Sequence, residues 1–106
     1  MTGHTYYKVE FSSIDWQTVM PGLRHKTREQ GGKRLRLVEY AASMEPHWCE
    51  KGHAGYVLEG RFEITFDGRV EVFNPGDGIL IPPGKEHSHM GRALTPSVRV
   101  IFVEDV

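Results

Sequence analysis

The chain has 106 residues and a formal net charge of -1, with 13 Lys and Arg against 14 Asp and Glu. This balance offers no basic surface, so we expect neither nucleic acid nor a membrane as a partner. The length suits one domain, residues 1–106, and no apolar run is long enough to span a bilayer. The N-terminus lacks the pattern of a signal peptide, and the single Cys excludes an internal disulfide, which together predict a cytoplasmic location.

Alternating apolar and polar residues, interrupted by turn signals, predict a nearly all-β domain. The 12 Gly and 6 Pro suit tight turns, and β-branched residues suit strands. The most helix-like segment, 12–19, is long enough for one turn only. We expect about nine strands in a sandwich or barrel. The clearest strands are 34–40, 61–66, 69–73 and 97–103.

A hairpin is predicted in the middle of the chain, where Asp67-Gly68 separates two alternating runs. This dipeptide is a strong signal for a two-residue turn between antiparallel strands. In each run, alternate apolar side chains are expected to face the interior. Those side chains are Phe62, Ile64, Phe66, Val70 and Val72.

Histidines are unevenly distributed, since four of the six fall in two short windows. His47, Cys49 and His53 are separated by even intervals, so on extended backbone their side chains leave the same face of a strand. His87 and His89 share a face for the same reason. Convergent imidazoles and a thiolate offer the lone pairs that a transition metal requires. The two windows therefore predict a metal site.

These windows resemble the two conserved motifs of the cupin superfamily. The first motif reads H-x-H, three or four residues, E, six residues, G, and the second reads G, five residues, P-x-G, two residues, H, three residues, N. Over residues 47–60, the first motif is matched at His47, Cys49, His53 and Gly60. Over residues 76–91, the second is matched at Gly76, Pro82, Gly84 and His87, with Gly91 in place of Asn. The resemblance implies a small, single-domain cupin of the cupin 2 type, which is a double-stranded β-helix or jelly-roll barrel.

The same resemblance implies a set of metal ligands at the motif positions. In this chain those positions hold His47, Cys49, His53 and His87. A thiol thus replaces one histidine, and an imidazole replaces the glutamate. This softer set favours zinc, iron or copper, with nickel also in the class, and argues against magnesium, calcium or manganese.

Several of these residues also have a structural explanation. His47 suits an exposed strand start, and Cys49 suits an inert buried thiol. His89 and Glu50 are expected beside the ligands rather than among them, with Glu50 solvated unless a bulge reverses its face. The histidines outside both windows, which we expect on the surface, are His4 and His25.

Two classes of function fit the sequence. In the first, the protein is a small metal-binding barrel that holds a transition metal or a small ligand in its cavity. The alternative is a metal-dependent dioxygenase, isomerase or decarboxylase that acts on a small polar molecule. The resemblance also implies a homodimer, in which the exposed edges expected at 8–11 or 23–28, within residues 1–30, would pair across a two-fold axis.

Overall fold

The computed structural model of the protein describes residues 7–106, in which nine strands and two short 3₁₀ turns form. The strands are β1 Gln17–Met20, β2 Leu23–Gln30, β3 Lys33–Ala41, β4 His53–Glu59, β5 Phe62–Phe66, β6 Arg69–Phe73, β7 Gly78–Ile81, β8 His89–Ala93 and β9 Ser97–Asp105. The 3₁₀ turns are Phe11–Ser13 and Lys85–His87. Among the described residues, no helix is long and apolar enough to cross a membrane.

The strands form two antiparallel sheets. The larger has six strands in the order β1-β2-β3-β9-β4-β7, and the smaller has three in the order β6-β5-β8. Buried side chains from both sheets meet in one hydrophobic core, in which the largest fully buried residues are Phe102, Val38, Val57, Val98 and Val100. The prediction of an all-β jelly-roll fold is confirmed.

Alternation of buried and more exposed side chains along β9 defines the two faces of the larger sheet. Val98, Val100 and Phe102 are buried, so they mark the inner face, and Val103 between two inward positions is half exposed. Because successive side chains point to opposite faces, Glu104 also belongs to the inner face. The inner face therefore changes from apolar to charged toward the end of β9.

The hairpin predicted around Asp67-Gly68 forms between β5 and β6. Gly68 adopts a φ of 72°, a conformation that glycine reaches without a steric penalty. Phe62 and Ile64 are buried, as predicted. The hairpin thus closes one wall of the core.

The prediction that Val70 and Val72 face the interior is wrong, since these side chains are 55% and 42% exposed. Val70 lies opposite Thr65 and Val72 opposite Glu63, and both partners belong to the outer face of β5. Phe73, on the opposite face of β6, packs against the core instead.

The N-terminal edge also differs from the prediction. Segment 8–11 forms no strand, and the edge of the larger sheet is β1. Segment 23–28 lies within β2, which pairs with β3 along one side and with β1 at its first three residues. The predicted strand edge at 8–11 is therefore wrong, while the homodimer itself stays a prediction.

Candidate metal centre

The loop between β3 and β4, residues 42–52, is attached to the smaller sheet through Cys49. The Cys49 N–H donates to the His89 carbonyl at 2.7 Å, and the His89 N–H donates to the Cys49 carbonyl at 2.9 Å. These two bonds form an isolated antiparallel bridge. The bridge holds the thiol beside the first residue of β8.

Cys49, His53 and His89 form a compact cluster of donor atoms. One atom from each residue lies within 4.8 Å of the other two. Cys49 Sγ is 4.0 Å from His53 Nε2, and the two imidazole centroids are 5.1 Å apart. His53 begins β4 of the larger sheet and His89 begins β8 of the smaller, so the cluster lies where strands of the two sheets face each other.

A hydrogen bond fixes the tautomer of His89. Its Nδ1 lies 2.9 Å from the His87 carbonyl oxygen. Because a carbonyl only accepts hydrogen bonds, Nδ1 carries the proton and Nε2 keeps its lone pair. Nε2 is buried without a hydrogen-bond partner, in a residue that is only 5% exposed. This lone pair is therefore available to a ligand.

His53 is held in its neutral form. Burial lowers its pKa to about 4, and the positive charge of Arg36 acts in the same direction. Its Nδ1 is likewise buried without a hydrogen-bond partner. A metal requires a deprotonated imidazole nitrogen, so the neutral ring is the competent form at physiological pH.

The donor set and its spacing fit a transition metal. A buried polar atom without a partner costs about 1–3 kcal/mol, and a metal would supply the partner that His89 Nε2 lacks. Tetrahedral zinc with bonds of about 2.3 Å to sulfur and about 2.0 Å to nitrogen separates these atoms by about 3.5 Å. The 4.0 Å between Cys49 Sγ and His53 Nε2 needs only a small contraction to match.

Two residues expected as ligands lie outside this cluster. His47 is exposed, in a stretch of loop with no strand. His87 belongs to a 3₁₀ turn, its side chain is 41% exposed, and its Nε2 lies 4.0 Å from Glu86. The cluster thus contains Cys49 and His53 from the predicted set.

The predicted strand faces are wrong around both windows. Of His47, Cys49 and His53, only His53 lies in a strand, so even spacing does not place them on one face. His87 ends a 3₁₀ turn and His89 begins β8, so these two do not share extended backbone either.

His89, which was expected beside the ligands, is part of the cluster, whereas Glu50 is not. Glu50 is exposed, and its carbonyl accepts a hydrogen bond from the Gly84 N–H at 3.0 Å. The corner at Pro82-Pro83-Gly84 is the signal in the sequence that could have identified His89, because such a corner delays the start of the next strand.

A cavity of about 1060 Å³ adjoins the cluster. Its wall includes Arg36, which donates from Nε and Nη2 to Glu104 at 3.1 and 2.8 Å. Arg34 Nη1 approaches the same carboxylate at 3.5 Å. The inner face of the larger sheet therefore supplies the cavity with a charged wall.

His25 lines this cavity, so its expected surface position is wrong. It is half-buried, and its Nδ1 lies 3.4 Å from Arg36 Nη1. Burial lowers the pKa of His25, and the positive charge of Arg36 lowers it further. His4, the other histidine expected on the surface, lies outside the described residues.

The sequence model of the cupin domain matches residues 34–104, which is well over half of the chain. The chain belongs to the cupin family. The match runs from β3 into β9 and therefore includes every residue of the cluster.

No curated protein sequence matches this cupin. Among solved structures, KdgF from Halomonas sp. is 29% identical, with a TM-score of 0.71 and coverage of 96% of this cupin and 92% of that chain. The polyketide cyclase RemF from Streptomyces resistomycificus is 24% identical, with a TM-score of 0.74 and coverage of 93% and 78%. A sugar phosphate isomerase from Silicibacter pomeroyi is 19% identical, with a TM-score of 0.74 and coverage of 93% and 75%. The last two similarities show the shared fold.

Proposed function

We propose that this cupin binds a divalent transition metal through Cys49, His53 and His89 and holds a small molecule in the adjoining cavity. The supporting observation is the compact set of three donor residues, in which His89 Nε2 is buried without a hydrogen-bond partner. The mixture of nitrogen and sulfur donors favours zinc, iron or copper, and nickel is a further candidate.

A metal-dependent enzyme is the second candidate function. Three protein ligands leave a coordination position open, as catalytic zinc sites do. A bound ion would supply Lewis acidity to a substrate there, as in an isomerase or decarboxylase, and an iron centre would add dioxygenase chemistry. The cavity of about 1060 Å³ has room for a small polar substrate.

Cobalt titration of untagged, metal-free protein tests metal binding directly. We expect one equivalent of Co²⁺ to bind and to produce a thiolate charge-transfer absorption that Cys49→Ser removes. His53→Ala and His89→Ala should each weaken binding by more than about 100-fold, because changes outside the ligand shell already cost about 10–100-fold.

His87→Ala is the matched control for His89→Ala, since the two histidines are two residues apart and only His89 is in the cluster. His47→Ala serves the same purpose in the loop. Both controls should bind Co²⁺ as the wild type does. If His87→Ala loses the metal and His89→Ala keeps it, the ligand set implied by the motifs replaces the one proposed here. If the wild type binds no metal, the proposal is refuted.

A further inference from the structure

His53 of the proposed metal centre and the charged wall of the cavity are neighbours on the inner face of the larger sheet. Ala54 of β4 lies opposite Val103 of β9. The next residues in this register are His53 and Glu104, which both point to the inner face. The Phe102 ring lies beside them, with its centroid 5.0 Å from that of His53.

Arg36 lies on β3 opposite Phe102, and β3 pairs with β9 on the side away from β4. The Cζ of Arg36 is 5.5 Å from the centroid of the Phe102 ring, and its side chain is only 16% exposed. A guanidinium has five N–H donors, and the contacts with Glu104 use Nε and Nη2. Nη1 has one long contact, at 3.4 Å, with His25. Arg36 therefore retains donors for another acceptor.

Charge favours an anionic acceptor at this wall. The cations that line the cavity are Arg34, Arg36 and Lys51, and the anions are Glu104 and Asp105. Asp105 pairs with Lys33, and Arg34 pairs with Glu29 at 2.9 Å, so both of these charges are balanced by residues outside the cavity wall. A divalent ion bound by one thiolate and two neutral imidazoles would add a further positive charge. Cations therefore outnumber the anions that remain to balance them.

We propose that the ligand of this cavity carries a carboxylate, which Arg36 binds. The other polar end of the ligand reaches the metal centre, and this second contact alone rests on the proposed function. A planar carboxylate matches the geometry of a guanidinium, and a single negative charge is repelled less by Glu104 than a phosphate dianion would be. The Phe102 ring between the two sites suits a short carbon spacer in the ligand.

Two pairs of probes test the inference by calorimetry on cobalt-loaded protein. The charged probes are malate and 2-hydroxyglutarate, and each is compared with the neutral amide of its distal carboxylate. We expect each charged probe to bind at least about tenfold tighter than its amide, because a hydrogen bond to a charged group is worth this much. Arg36→Gln should abolish the difference, and Arg36→Lys should retain part of it.

Arg24→Gln is the matched control, because Arg24 also pairs with a glutamate but lies on the outer face of the same sheet. It should leave the preference for the charged probes unchanged. Co²⁺ binding by each variant shows that its barrel is folded. If Arg36→Gln does not fold, Arg36→Lys tests the assignment, because it should reduce the preference for the charged probes without abolishing it.

Three results would overturn the carboxylate assignment. They are equal binding of charged and neutral probes in the wild type, an undiminished preference in Arg36→Gln, and displacement of both charged probes by inorganic phosphate at lower concentration. Absence of Co²⁺ binding would instead refute the metal proposal. The same calorimetry on metal-free protein would then still test the contact with Arg36.

Discussion

The two faces of the six-stranded sheet each carry a glutamate held by two arginines, but the surroundings of the two clusters differ. On the outer face, Arg24 and Arg99 donate to separate oxygens of Glu39 at 2.8 and 2.9 Å. Trp16 lies against both guanidinium groups, at 4.3 and 5.5 Å. This cluster joins β2, β3 and β9 and is covered by an aromatic ring.

On the inner face, Arg36 binds Glu104 at 2.8 Å, and Arg34 of the same strand reaches Glu104 at 3.5 Å while it binds Glu29 at 2.9 Å. This cluster faces the cavity, and Arg36 keeps unused donors beside the proposed metal centre. Arginine–glutamate clusters of similar composition therefore have different surroundings on the two faces. We expect the closed outer cluster to stabilise the sheet, and we propose that the inner cluster binds a ligand.

The largest effect that should separate the two faces is stabilisation by metal. Zinc at about 100 times its Kd should add about 2.7 kcal/mol to the stability of the metal-free protein and raise Tm by roughly 10–20 °C. His53→Ala should abolish this increment, and Glu39→Gln should preserve it. Scanning calorimetry measures both. An increment that survives in His53→Ala would show that zinc binds elsewhere.

Glu39→Gln should have the next largest effect. It removes two charged hydrogen bonds and should lower the free energy of unfolding by about 1–2 kcal/mol at pH 7. This loss is smaller than two buried charged hydrogen bonds would give, because both arginines are partly exposed. Glu71→Gln is a suitable control, because Glu71 has one exposed salt bridge. Urea unfolding compares the variants. Equal losses in both would mean that the outer cluster adds no particular stability.

The effect of Glu39→Gln should depend on pH. Burial raises the pKa of Glu39, but hydrogen bonds from Arg24 and Arg99 hold it below its usual value of 4.5. A carboxyl group whose pKa is lowered by folding stabilises the folded state at pH values above its unfolded-state pKa. This stabilisation is lost as the pH falls through its folded-state pKa. The difference between wild type and variant should therefore narrow below about pH 4. A difference that widens in acid would contradict this account.

Trp16→Leu should have the smallest effect. It removes the cation–π contacts of Trp16 with Arg24, Lys26 and Arg99. Because the three cations share one ring, we expect a combined loss of about 1 kcal/mol, the upper value for one exposed contact, and Trp16→Phe should retain part of it. Urea unfolding measures the loss. Neither variant should alter Co²⁺ affinity, and a change in that affinity would show that the outer cluster is coupled to the cavity.

The strand pattern was predictable because alternation and turn signals are local. Turn residues such as Asp67-Gly68 place the hairpin correctly. The choice of the buried face of β6 was not predictable, because apolar residues occupy both faces. Val70 and Val72 lie on one and Phe73 on the other, and only packing against β5 decides between them.

The candidate site was predictable in part. The motif windows identified Cys49 and His53, but even spacing places side chains on one face only where the backbone is extended. A 3₁₀ turn at Lys85–His87 interrupts the extended backbone and brings His89 into the cluster. His25 and Arg36 meet only because β2 and β3 pair, so their contact has no signature in either local sequence.

The bridge between Cys49 and His89 has a consequence for the energetics of the proposed site. The same two residues supply a pair of backbone hydrogen bonds and two of the three donor atoms. Any fluctuation that detaches the 42–52 loop from β8 therefore also separates the donors. Metal affinity and the local unfolding equilibrium of this loop are thermodynamically linked, and whatever steadies the loop also tightens the site.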